Sequence, residues 1–315
     1  MQKAKTIWFN GELKPWDEVQ VHFFTHTLHY GLGAFEGIRC YLTENGSSAI
    51  FRLPEHIRRL FDSAKACLIE IPFTPQELVQ ACVEVVRENE LEECYVRPLV
   101  WLGGGSMGLG SRTNPVQVGV GAFAWGAYLG EEGLKNGIRC CVSSLARISH
   151  SQHMTRAKIS GQYVNSIMAN RAAQISGYDE AILLDGDGNV AEGPGENIFI
   201  VRDGELRTPP RSSPILPGIT RETLLTLARE RAEELSITII EECFPREDLY
   251  LADEAFMTGT AAEVTPVREV DGRKIGSGRP GPVTRALAVA YQDAIRGRSS
   301  RHRDWLTPIE VREPA

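Results

Sequence analysis

Ala157-Lys158-Ile159-Ser160-Gly161-Gln162-Tyr163 is the stretch on which the fold turns. It closes a polar loop, Ser149–Lys158, and leads into a helix expected from about Gly161 to Ile175. Three further pieces follow in order: Glu192-Gly193-Pro194-Gly195-Glu196-Asn197 between two strands, Leu216-Pro217-Gly218-Ile219-Thr220 opening a helix, and Thr258-Gly259-Thr260-Ala261-Ala262-Glu263 between two more strands. Singly, each has a structural explanation. Lys158 reads as a solvated lysine, the glycine-rich turn as a hairpin, and Pro217-Gly218 as an ordinary helix start. Their order along one chain carries the information.

Working outward, the second half reads as strands Ile138–Ser144, Asp179–Leu184, Asn197–Val201, Ser236–Glu241, Glu254–Thr258 and Val264–Val270. An amphipathic helix covers Ile219–Leu235, another runs from Pro282 to about Ile295, and Asp185–Asn189 is a turn by composition. The tail from Arg298 is polar apart from Trp305-Leu306. The first half has short strands at Thr6–Phe9, Gly37–Leu42 and Ala49–Phe51, with longer ones near Cys94–Leu102 and Val116–Trp125. A helix opening at Leu53-Pro54 carries the apolar stripe Ile57, Leu60, Phe61, Ala64 and Leu68. A second opens at Thr74-Pro75-Gln76-Glu77, where the Thr/Glu spacing is that of a capping box. The pattern is α/β (α+β) in two domains: residues 1–126 a small N-terminal α/β domain, 127–137 a linker, and 138–315 a larger C-terminal domain.

With 315 residues the chain can bury a sizeable core, and 42% hydrophobic with 24% charged residues is a globular composition. A net charge of −7 argues against a nucleic-acid partner. No apolar run approaches the roughly 18 residues of a membrane span, and no signal peptide is visible, so the expected location is cytoplasmic. The seven cysteines form no C-x-x-C pair, which speaks against a zinc site or a disulfide framework.

Two motifs mislead. Gly103-Gly104-Gly105-Ser106-Met107-Gly108 matches G-x-G-x-x-G, yet it runs toward another strand and not into a helix, so a loop is expected rather than a dinucleotide site. His22, His26 and His29 sit in an apolar, aromatic segment with no acid nearby in sequence. Imidazoles bonded to backbone are expected there, and no metal.

The four pieces of the second half, together with His29-Tyr30-Gly31, Phe35-Glu36-Gly37-Ile38-Arg39-Cys40-Tyr41, Tyr95-Val96-Arg97-Pro98 and Trp125-Gly126-Ala127-Tyr128-Leu129-Gly130, resemble the class IV, D-amino-acid-aminotransferase-like enzymes that use pyridoxal 5′-phosphate (PLP). Within them the pattern is similar to the short bacterial branched-chain aminotransferases, over nearly the whole chain.

The resemblance implies the two-domain fold type IV architecture and transamination between leucine, isoleucine or valine and 2-oxoglutarate. It implies that Lys158 carries PLP as a Schiff base and moves the α-proton. Glu192, with Glu196 as runner-up, would keep the ring nitrogen protonated, and Tyr163 would bond the phenolic oxygen. Arg59, rather than its neighbour Arg58, would contact the phosphate together with the N-terminus at Gly218, Ile219 and Thr220 and the hydroxyl of Thr260. On the substrate side it implies Tyr30, Phe35, Gly37, Trp125 and Tyr128 around the aliphatic chain. Tyr95 with the backbone of Thr260 and Ala261 would take the α-carboxylate, and Arg97 the distal carboxylate of glutamate. It also implies a homodimer or higher homo-oligomer, with Tyr128 reaching the site of the other subunit. Close rivals are a D-amino-acid or R-amine aminotransferase and an aminodeoxychorismate lyase of the same fold. Arg39, Tyr95-x-Arg97 and the Trp-Gly-Ala-Tyr-Leu-Gly run favour the branched-chain enzyme. A PLP-binding regulator without turnover and a redox protein using the glycine-rich loop are the readings from other classes.

Overall fold

The computed structural model describes residues 3–126 and 129–309 of the chain. Two compact units divide it: Met1–Trp125 with Ala157–Gln162 and Asp293–Ala315, and Gly126–Arg156 with Tyr163–Gln292. The first therefore takes in the Lys158 segment and the C-terminal stretch, which sequence order alone places in the second. Pairing explains the C-terminal part: Leu306–Pro308 is an antiparallel partner of Ser48–Phe51.

Among the described residues, the sheet of the first unit is antiparallel throughout. Its order is Leu306–Pro308, Ser48–Phe51, Ile38–Leu42, Cys94–Leu102, Val116–Phe123, Thr6–Phe9, Glu12–Pro15, with Gly33–Phe35 also on Cys94–Leu102. Helices Leu53–Ala66 and Pro75–Glu88 supply the other wall of the core. Ile57, Leu60, Leu78, Cys82, Val85 and Val86 pack with Ile38, Ile50, Val96, Val118 and Val120. The capping box forms as expected: Glu77 N donates to Thr74 Oγ1 (3.2 Å) and Thr74 N to Glu77 Oε2 (2.6 Å). Leu68 departs from its expected place in the stripe. The helix ends at Ala66, Leu68 takes a φ of 57° and is 86% exposed, and Ile69 fills the buried position.

The sheet of the second unit is mixed, in the order Val190–Glu192, Glu180–Leu184, Ile138–Val142, Glu263–Val270, Glu254–Gly259, Asn197–Arg202, Glu205–Thr208, Thr238–Glu241. Ile138–Val142 is parallel to both its neighbours, and Thr238–Glu241 is parallel to Glu205–Thr208. Ile182, Ile198, Ile200, Phe244, Met257 and Val267 belong to its core. The helix expected over Ile219–Leu235 breaks at Arg231 into Ile219–Glu230 and Ala232–Leu235. The expected linker contains a helix of its own, Gly130–Asn136. No helix among the described residues is long and apolar enough to cross a membrane.

Candidate active site

Lys158 belongs to the first unit, where its backbone is tied down on two sides. Its N–H donates to Ser63 Oγ (2.9 Å) on helix Leu53–Ala66, and its carbonyl accepts from Phe35 N (3.1 Å). Three residues on, Gly161 N donates to Gly31 O (2.9 Å), and a Cβ on Gly31 would come within 2.9 Å of Gly161 Cα. With Gly31 at a φ of 74°, only glycine suits this crossing. The Lys158 side chain is thus presented from a segment fixed at both ends, half-buried, with Nζ 5.0 Å from the Phe35 ring centroid.

The same ring receives a second cation. Arg97, from strand Cys94–Leu102, places its guanidinium carbon 5.0 Å from the Phe35 centroid and 5.3 Å from that of Tyr95. Among the described residues Arg97 has no carboxylate partner, and its buried Nε has no hydrogen-bond acceptor. Among the described residues, Arg97 is also the one charged residue lining an apolar cavity of about 430 Å³, whose walls include Ile7, Trp16, Val21, Leu28 and Trp101. Tyr95 packs edge-on against Trp125 at 4.7 Å. It also leans over Gly37 so closely that a Cβ there would lie 1.8 Å from its hydroxyl. Tyr30, 47% exposed, donates its hydroxyl to Met107 O (3.0 Å). Tyr128 lies outside the described residues.

Arg59 is held by a group that sequence reasoning missed. Its Nε and Nη2 donate to the two oxygens of Glu36 (2.6 and 2.9 Å), and His56 Nδ1 lies 2.7 Å from Glu36 Oε2. Glu36 and His56 are fully buried. Burial works to raise the Glu36 pKa, but the charge of Arg59 and the hydrogen bonds from Arg59 and His56 outweigh it and hold the carboxyl far below its usual range. Burial lowers the His56 pKa against the opposing pull of Glu36, with Arg59 and Lys158 adding to the lowering. His56 is therefore neutral, and because a carboxylate only accepts, its proton sits on Nδ1. The signal was available: Glu36 is a lone acid inside an apolar run, Gly33–Ile38.

The remaining expected residues belong to the second unit. Glu192 ends the short strand Val190–Glu192 and is 5% exposed. Its Oε1 accepts from Arg147 Nε (2.6 Å) and its Oε2 from Asn197 Nδ2 and Leu216 N (3.0 Å each). Arg147 and Asn197 were not singled out from sequence, because nothing in the spacing of the Ser143–Arg147 loop marks an arginine that folds inward. Glu196, the runner-up, is also buried and accepts from Gly195 N (3.0 Å). Gly218 precedes helix Ile219–Glu230, and no side chain caps it there. Its first-turn N–H groups and positive dipole end suit a phosphate. Tyr163 is the first residue of helix Tyr163–Ile175. Thr260 and Ala261 follow strand Glu254–Gly259, where Thr258 Oγ1 is buried without a hydrogen-bond partner among the described residues. Within the second unit, an uncapped helix start and a buried anion are of the kinds that the phosphate and ring nitrogen of PLP require, and within the first unit Lys158 offers an amine on a fixed segment.

His29 Nε2 is 2.9 Å from Phe23 O, His26 Nε2 3.4 Å from Gly108 O, and His22 Nδ1 accepts from Phe24 N. The glycine-rich Gly103–Gly108 loop joins two antiparallel strands, with Asn114 Nδ2 bonded to Gly103 O and Ser106 O.

A family profile described as amino-transferase class IV matches residues 33–270. The branched-chain-amino-acid aminotransferase of Pseudomonas aeruginosa is 50% identical over 304 residues, covering 96% of this chain and 97% of that protein. The enzyme of the same name from Escherichia coli K12 is 45% identical over 309 residues, 98% of each. Among solved structures, an Escherichia coli branched-chain amino acid aminotransferase superposes with a TM-score of 0.93 at 45% identity, over 98% of this chain and 100% of that one. The T.th. enzyme of the same name, bound to pyridoxamine 5′-phosphate, gives a TM-score of 0.93 at 46% identity, with the same coverage.

Proposed function

The chain belongs to the class IV aminotransferases, and on that footing we propose that it moves an amino group between leucine, isoleucine or valine and 2-oxoglutarate, with PLP carried on Lys158. When bound, PLP supplies an electron sink for the negative charge that develops at the substrate α-carbon. The chain supplies the rest. Lys158 would hold the cofactor covalently through Nζ, and its amine would move the proton to and from the substrate α-carbon. Arg59, kept in place by Glu36, and the uncapped start of helix Ile219–Glu230 hold the phosphate. Glu192 keeps the ring nitrogen protonated, and Tyr163 bonds the phenolic oxygen. Tyr95, seated over Gly37, and the backbone of Thr260 and Ala261 take the α-carboxylate. Phe35, Tyr30 and Trp125 pack on the aliphatic chain.

One observation carries this reading: Lys158 Nζ and the Arg97 guanidinium lie beside the same Phe35 ring, each 5.0 Å from its centroid. An amine for the reaction and a cation for a second carboxylate then border one apolar surface. That is what an enzyme needs when it must accept leucine in one half-reaction and glutamate in the other. We also propose a homodimer or larger homo-oligomer, supported by exposed Phe23, Phe24, Leu28 and Leu109 on the first unit. The cytoplasm is the proposed location, in keeping with seven free cysteines.

Mixing the purified holoenzyme with L-leucine tests the activity. The cofactor absorbance should pass from its lysine-bound to its aminated form and return on adding 2-oxoglutarate, with no such change for D-alanine or an (R)-amine. Lys158→Ala should lose nearly all turnover and form no borohydride-reducible adduct. An adduct at native yield would place the cofactor on another lysine.

A further inference from the structure

We propose that Arg147 is a positioning residue for transamination: it keeps Glu192 ionised and in a single orientation for the ring nitrogen of the cofactor. This rests on the assignment of Glu192 to that nitrogen. The carboxylate is 5% exposed, and a carboxylate taken out of water favours its protonated form unless a positive charge compensates it. Once protonated it has no charge left with which to hold a proton on a neighbouring nitrogen. Arg147 prevents this. It is itself 8% exposed and permanently charged, its Nε lies 2.6 Å from Glu192 Oε1, and its own N–H is bonded to Leu184 O at 2.7 Å. Its field falls more heavily on the carboxylate it touches than on any group that carboxylate binds in turn. A proton shared between Glu192 and a ring nitrogen is therefore driven to the nitrogen.

Orientation comes from the other oxygen. Asn197 Nδ2 donates both to Glu192 Oε2 (3.0 Å) and to Leu216 O (2.9 Å), and Leu216 N donates to Oε2 as well (3.0 Å). Asn197 Oδ1 in turn crowds Gly218, where a Cβ would lie 2.1 Å away. The angle of the carboxylate is thus tied to the start of the helix assigned to the phosphate.

The test uses enzyme reconstituted with PLP carrying ¹⁵N at the ring nitrogen. Wild type should show the ¹⁵N shift of a protonated ring, and Glu192→Gln that of a neutral one. Arg147→Met should follow Glu192→Gln, with the leucine half-reaction slowed on the order of 10–100-fold, the scale seen for outer partners of a reactive group. PLP affinity, dominated by the phosphate, should change less than about 3-fold on this reasoning. Arg147→Lys should restore a protonated ring. Arg147→Gln keeps a donor in place without the charge and carries the same comparison if Arg147→Met does not fold. A protonated ring in both uncharged variants, beside a neutral one in Glu192→Gln, overturns the proposal. A protonated ring in Glu192→Gln overturns it at its base, by removing Glu192 from the nitrogen. Failure of the broader functional reading looks different: wild type itself would not exchange amino groups between leucine and 2-oxoglutarate.

Discussion

Arg97 shows how much one side chain must reconcile. Its guanidinium rests on Phe35 and Tyr95 at the edge of an apolar surface, with Nε unsatisfied. In the role proposed for Arg97, an aliphatic substrate would leave that charge to its ring contacts, whereas a substrate with a second carboxylate would give it a charge-assisted partner. Arg97→Met keeps much of the stem and removes the charge. The expected cost is about 2–5 kcal/mol on the half-reaction with glutamate and 2-oxoglutarate, the scale for truncating one member of a buried charge pair. The leucine half-reaction should lose much less. Single-turnover rates for the two substrates decide between this role and one in the α-carboxylate or the fold, which would slow both equally. Arg97 is singled out in the sequence because Tyr95-Val96-Arg97-Pro98 resembles a family run, and its proposed role comes from that resemblance. Arg147 is not: its importance comes from a loop that turns it onto an acid 45 positions away, and no local spacing records that.

At the scale of elements, the start of helix Ile219–Glu230 is a joint sensitive to added volume. Gly218→Ala would put a methyl group 2.1 Å from Asn197 Oδ1, so the asparagine must shift and release its hold on Glu192. Overpacking of this kind costs about 1–3 kcal/mol, and here it should appear as weakened PLP binding. A PLP titration followed by fluorescence, beside unchanged far-UV circular dichroism, would show that the loss is local; native affinity would mean that the joint relaxes freely. The elements readable in advance were those with long periodic faces or explicit punctuation. Strand Cys94–Leu102 and helix Pro282–Ile295 appear with the bounds expected of them, and Thr74 with Glu77 marked a helix start. Val190–Glu192 is too short to show alternation, although it carries the acid proposed to face the ring nitrogen. The break at Arg231 interrupts a stripe whose composition does not change.

For the whole molecule, the buried Glu36–His56–Arg59 cluster makes stability fall as the medium turns acidic. Both titrating groups have folded pKa values below those of the unfolded chain, so the unfolded chain takes up protons that the native state refuses. The sign is the same for each. Stability contributed by a neutral His56 is complete above about pH 6.5 and erodes below it, and that of an ionised Glu36 erodes below about pH 4.3, the ordinary values of the free groups. The urea midpoint should therefore drop between pH 7.5 and 5.5, and the drop should shrink in His56→Gln. An identical drop in the variant would assign it to other histidines. The first unit also bears on the order in which the chain is made. Its outer strand, Leu306–Pro308, pairs with Ser48–Phe51, so more than two hundred residues separate two hydrogen-bonded neighbours. A ribosome delivers that strand after every other described strand of the sheet. Until it arrives, Ser48–Phe51 stays an open edge of the kind that invites pairing with another nascent chain. The sheet that Thr6–Phe9 and Ser48–Phe51 begin is therefore completed only once Leu306–Pro308 has left the exit tunnel.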